Sequence, residues 1–87
     1  MKTIAKPIEM ISWTEASGKI HPIRFKIENK EGERIVYKIE KIYTSELEKI
    51  AGNRIYKFTC EINLSGTNRI CELRYELDSC KWILFKL

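Results

Sequence analysis

Apolar and polar residues alternate along most of this chain in short runs, and turn clusters break the runs at close intervals. From Ile20 to Glu28, Ile23, Phe25 and Ile27 fall on one face and Arg24, Lys26 and Glu28 on the other. That period of two is the signature of a half-buried strand. The run from Arg34 begins the same way, with Ile35, Tyr37 and Ile39 against Lys38 and Glu40. Its phase slips at Ile42, so a bulge near Glu40 and Lys41 is expected, bending the strand into a second layer. Tyr56, Phe58, Cys60, Ile62 and Leu64 share one face of a further run, and Cys71, Leu73, Tyr75 and Leu77 share the matching face of the next. The last run, Lys81 to Leu87, is apolar on both faces, as in a strand that closes a barrel against the first one. The first run, Ile4 to Thr14, has Ile8 and Met10 in one phase and Ile11 and Trp13 in the other. A bulge or cover on both sides would account for that.

Between these runs lie Glu15-Ala16-Ser17-Gly18-Lys19, Asn29-Lys30-Glu31-Gly32-Glu33, Ser65-Gly66-Thr67-Asn68 and Asp78-Ser79-Cys80. Such spacing predicts an antiparallel meander. Ser45 and Glu48 have capping-box spacing and Gly52 suits a helix C′ position, so a short helical turn after Thr44 is expected, or else a loop with a polar turn at Gly52-Asn53. His21-Pro22 suggests an edge position, because proline donates nothing to a ladder. The reading is one all-β domain over residues 1–87. It is a small antiparallel meander or an SH3-like or OB-like barrel of five to six strands, with one short helical turn.

Register stays open in the hairpin around Ser65-Gly66. A two-residue loop sets Cys60 opposite Cys71 but also Lys57 opposite Arg74; a four-residue loop sets Glu61 opposite Glu72. Each register contains one unfavourable like-charge pair.

Charge and cysteine usage narrow the classes. The net charge is +4, with 12 acidic residues spread among 16 basic ones. That permits a nucleic-acid or anionic partner without requiring one. No apolar run approaches the roughly 18 residues of a membrane span, and Pro7 and Glu9 interrupt the stretch where a signal peptide needs its apolar core. Three cysteines, Cys60, Cys71 and Cys80, suit a reducing compartment. The expectation is a cytoplasmic protein with no membrane contact.

Candidate chemistry is sparse. His21 is the sole histidine, with no nucleophile or orienting carboxylate at a recognisable spacing. The cysteines lack the short ligand spacing of structural zinc, and Cys60 and Cys71 lie in the apolar phase of their strands, so no metal and no cofactor are expected. Cys80, beside a turn and Lys81, is the thiol expected at the surface. No phosphate loop, nucleophile elbow or metalloprotease helix motif occurs. The chain is therefore read as a non-enzymatic binding or interaction module, acting on a protein partner or on itself. Val36, Ile55 and Ile70 supply an outward apolar patch for that role. The alternative is a small nucleic-acid-binding β-barrel with a basic outer face. Arg24, Lys26 and Lys38 form the stripe, Arg54, Lys57 and Arg74 extend it, and Trp13, with Tyr43 and Trp82, offers an exposed aromatic. If Glu28 pairs with Arg34, Arg24 falls opposite Lys38, two cations that need an anion to relieve them.

Three stretches resemble small uncharacterised bacterial all-β proteins of about this length: Pro7-Ile8-Glu9-Met10-Ile11-Ser12-Trp13, Ile50-Ala51-Gly52-Asn53-Arg54 and Tyr75-Glu76-Leu77-Asp78-Ser79-Cys80-Lys81-Trp82. The resemblance implies a freestanding cytoplasmic bacterial protein, and it implies no activity or catalytic residue.

Overall fold

Six antiparallel strands follow from the six alternating runs. In the computed structural model, which describes all 87 residues, they are β1 (Thr3–Thr14), β2 (Ile20–Glu28), β3 (Arg34–Ile50), β4 (Asn53–Leu64), β5 (Thr67–Glu76) and β6 (Lys81–Lys86). Each strand pairs with the next in sequence, and β6 returns to β1, so the sheet closes into a barrel. The order is a plain meander without the Greek-key crossover of an OB fold. Closure removes the free edges that a sheet with apolar residues on both faces would otherwise expose.

Two strands bend to make the closure. β1 pairs with β6 over Thr3–Ile8 and with β2 over Glu9–Thr14. β3 pairs with β2 over Arg34–Lys38 and with β4 from Ile39 onward. The register of β3 shifts between Ile39 and Lys41 and again between Ile42 and Thr44. The first shift is the bulge that the phase slip called for. β1 also carries a register shift, between Thr3 and Lys6 beside Ala5 (φ 46°), but its mixed apolar phase lies beyond that point and is plain alternation. Ile8 and Met10 pack on the core, while Ile11 and Trp13 stay exposed on the outside.

The expected helical turn after Thr44 is not there. Ser45 to Ile50 continues β3 and pairs residue by residue with β4, from Ser45 opposite Phe58 to Ile50 opposite Asn53. Ala51 (φ 50°) and Gly52 (φ 85°) make the connection. Two successive positive φ values define the type I′ turn, whose twist matches that of the flanking strands. Local capping spacing lost to a long ladder, because six residues cannot hold a helix without packing behind them. No helix in the chain is long and apolar enough to cross a membrane.

The β4–β5 hairpin uses the two-residue loop. Ser65 (φ 52°) and Gly66 (φ 84°) form a second I′ turn, with Cys60 opposite Cys71 and Lys57 opposite Arg74. Pro22 lies beside a register shift against Ser12, and β2 pairs with β3 only from Arg24 to Glu28. Pro22 is thus in a strand that is locally an edge, and its missing N–H costs no ladder bond to β3.

The core is lopsided. Apart from Pro22 and Phe25 on β2, the 11 buried residues lie on β4, β5 and β6. Phe58, Cys60, Ile62, Cys71, Leu73, Trp82 and Leu84 form its centre with Phe25. Trp82, expected at the surface, is 8% exposed and packs on Phe58 and Tyr75 at ring separations of 5.6 and 4.8 Å. Its phase, shared with Leu84, points into the barrel.

Candidate binding face

The outward phase of β1, β2 and β3 forms one continuous surface. Its rows follow the register: Glu9, Lys26 and Val36; then Ile11, Arg24 and Lys38; then Trp13 and His21. Arg24 therefore stands directly opposite Lys38, and Lys26 lies one row away. The ion pairs of the barrel are Arg34–Glu9, Arg54–Asp78, Lys57–Glu48 and Arg74–Glu72. None of them involves Arg24, Lys26 or Lys38. Glu9, the carboxylate nearest in register, is engaged by Arg34 at 3.5 Å.

The other three cations of the expected stripe are placed elsewhere and are neutralised. Arg54 meets Asp78 at 3.4 Å, Lys57 meets Glu48 at 3.1 Å, and Arg74 donates from Nε to Glu72 at 2.8 Å. Glu48 beside Lys57 raises the lysine's pKa above its ordinary value. Arg74 also lies over the Phe85 ring, 3.4 Å from its centre. The barrel thus holds two cross-strand pairs of like charge. Lys57–Arg74 is relieved by two carboxylates, whereas Arg24–Lys38 has no such relief.

Aromatic and apolar groups border the unrelieved pair. Trp13 is 58% exposed and stacks on His21, ring centres 4.7 Å apart and planes 20° from parallel. His21 Nε2 hydrogen-bonds the Glu15 carboxylate across the β1–β2 turn. This bond is the main cause of the lowered pKa of Glu15. It also fixes the ring against which Trp13 rests. A shallow depression of about 340 Å³ opens beside this shelf, lined by Glu9, Ile11, Arg24, Lys26 and Val36 among others. The part of His21 is not marked by any motif. Only the register, with Thr14 opposite Ile20 and hence Trp13 opposite His21, brings it out.

Of the outward apolar trio, Val36 and Ile70 are exposed, but on different walls of the barrel. Ile55 is buried, flanked in register by Glu48 and Glu76. Tyr43 is exposed and donates its hydroxyl to Glu61 at 3.0 Å, which raises its pKa. It lies away from the cationic rows, on the part of β3 that faces β4.

The thiols divide in the same way. Cys60 and Cys71 are fully buried and face each other unbonded, and burial pushes their pKa up to about 12 and about 11. Cys80 is exposed at the β5–β6 turn, its Sγ 3.7 Å from the Leu77 carbonyl oxygen. No three His, Cys, Asp or Glu side chains converge as metal ligands.

Comparison with known proteins finds no matching family model, no matching curated protein and no matching solved structure.

Proposed function

We propose that this chain is a non-enzymatic binding module that engages an anionic partner through the outer face of β1, β2 and β3. The observation that carries this reading is the unrelieved Arg24–Lys38 pair within a surface of exposed Ile11, Trp13 and Val36. Two cations directly opposite one another weaken the free barrel. The same chain neutralises its other pair of this kind, whereas here the one carboxylate in the rows, Glu9, stands opposite Lys26 and pairs with Arg34 rather than with Arg24 or Lys38. Exposed apolar side chains around unpaired cations suit docking better than solvation alone.

Self-association through this face is the weaker alternative. A two-fold interface presents one patch to its own copy, and this patch carries three cations against the single carboxylate Glu9, which Arg34 already engages. An anionic partner relieves the pair instead.

A photo-reactive p-benzoylphenylalanine placed at Val36, in cells making the full chain, tests the face. Adducts from position 36 and none from position 70 on the other wall are the expected result. Adducts from position 70 alone would place the working surface elsewhere.

A further inference from the structure

We infer that the partner of this face is single-stranded nucleic acid, with a base stacked on the Trp13–His21 shelf and the backbone phosphates held by Arg24, Lys38 and Lys26. The inference rests on the binding-module reading and names its ligand.

Three features of the face argue for this ligand over other anions. The first is charge. Arg24, Lys26 and Lys38 occupy adjacent rows, and none of them is in an ion pair; Glu9, opposite Lys26 in register, meets Arg34 instead. Arg34, next along β3, is held by Glu9 and is left out of the site. The second is the exposed aromatic face. Trp13 is held flat by His21, and His21 is held by Glu15. A fixed aromatic plane offers stacking to any unpaired base, worth about 1–3 kcal/mol per base and tolerant of sequence. An acidic peptide would use the cations and gain nothing comparable from the shelf. The third is geometry. From Trp13 to Glu9 the face runs four residues along β1, about 13 Å at strand rise, so shelf and cations lie within reach of one short stretch of strand. The depression beside the shelf, where Met10, Ile11, Phe25 and Val36 meet Glu9, Arg24 and Lys26, gives a second base an apolar floor with a charged rim. A duplex hides its base faces in the stack, out of reach of the Trp13 ring.

The test is fluorescence anisotropy of the full chain with labelled mixed-sequence oligonucleotides, single-stranded DNA and RNA against the matching duplex, over a range of salt concentrations. Single strands are expected to bind more tightly than the duplex. Three phosphate contacts predict a slope of about −2 in log affinity against log salt. Arg24→Glu and Lys38→Glu should each flatten that slope by close to one contact. Trp13→Ala should weaken binding about tenfold, and Trp13→Phe should keep most of it. Arg69→Glu, exposed on the other wall, should change neither. Near-ultraviolet circular dichroism, dominated by the packed Trp82, Phe58 and Tyr75, checks that each variant is folded.

Tighter binding to the duplex, equal loss from Arg69→Glu, or full displacement by poly-glutamate would overturn the inference. So would an absence of oligonucleotide binding at low salt. In that last case the Val36 photo-adduct separates the two claims. An adduct that resists nuclease and yields to protease leaves the module standing with a protein partner, and no adduct at all removes both.

Discussion

Strands β1–β3 and β4–β6 are made from the same alternating pattern and do opposite work. On β4–β6, the inward residues are almost completely buried, and Ile70 is the one large apolar side chain exposed. Cations there meet carboxylates, and Glu72, itself buried, takes Arg74. On β1–β3, by contrast, Phe25 and Pro22 alone are fully buried, while Ile11, Trp13, Ile23, Val36 and Leu47 remain in solvent. Arg24, Lys26 and Lys38 are left without partners. One half holds the fold and the other presents a surface. Alternation groups the side chains that share a face, but a bulge can break the grouping, as it does at Ile23, which is exposed although in phase with buried Phe25.

Substitutions should separate the halves most sharply in the core. Phe58→Ala is expected to cost about 3–5 kcal/mol, since it empties a site beside Trp82 and Tyr56 in the cluster that also holds the two buried thiols. That is a large part of the total stability of a domain of this size, about 5–10 kcal/mol. Val36→Ser should change the urea midpoint hardly at all, within about 0.5 kcal/mol. A comparable loss from both would deny the division.

Arg74→Leu should follow at about 2–3 kcal/mol, because it strands the buried Glu72 carboxylate. Arg24→Leu removes a cation that pairs with nothing and should not destabilise, as chemical denaturation of the two variants would show.

The thiols give a pH dependence confined to the holding half. Burial raises the folded-state pKa of Cys60 and Cys71 from 9.0 to about 12 and about 11. The unfolded chain ionises first, so this contribution is complete below pH 9 and is lost as pH rises through those values. A Cys60→Ala, Cys71→Val double variant should flatten the alkaline loss of stability measured by denaturant melts. In the native protein near neutral pH, a thiol reagent should modify Cys80 and leave the buried pair until the chain unfolds.

A smaller effect is expected at the turn after β3. Ala51 adopts a positive φ that favours asparagine or glycine, so Ala51→Asn should raise stability by about 0.5–1 kcal/mol in thermal melts.

The six strands, the β3 bulge and closure by the last strand were legible in the sequence because period-two alternation and its slips are local signals. The register of the Ser65-Gly66 hairpin was not, since both options carried one like-charge pair and the relief of Lys57 and Arg74 comes from Glu48 and Glu72. Capping spacing at Ser45 and Glu48 misled, because a ladder to β4 outweighs one local bond pair. Trp82 misled for a related reason. With both faces of β6 apolar, only its neighbours decide which one turns inward. At the site, Arg24, Lys26, Lys38 and Trp13 come together as their phases imply. Arg54, Lys57 and Arg74 do not join them, because they lie on β4 and β5, where Asp78, Glu48 and Glu72 take them up.

The most direct measurement is the thermal midpoint of Lys38→Glu against the unaltered chain, without any ligand and at low ionic strength. If the face is held against its own repulsion, converting Arg24–Lys38 into an opposite-charge pair should raise stability by about 0.5–1 kcal/mol, and added salt should shrink the gain. A midpoint that falls or stays unchanged would mean that Lys38 already has its balancing charge in the free barrel, and the account of a surface kept for an anion would fail.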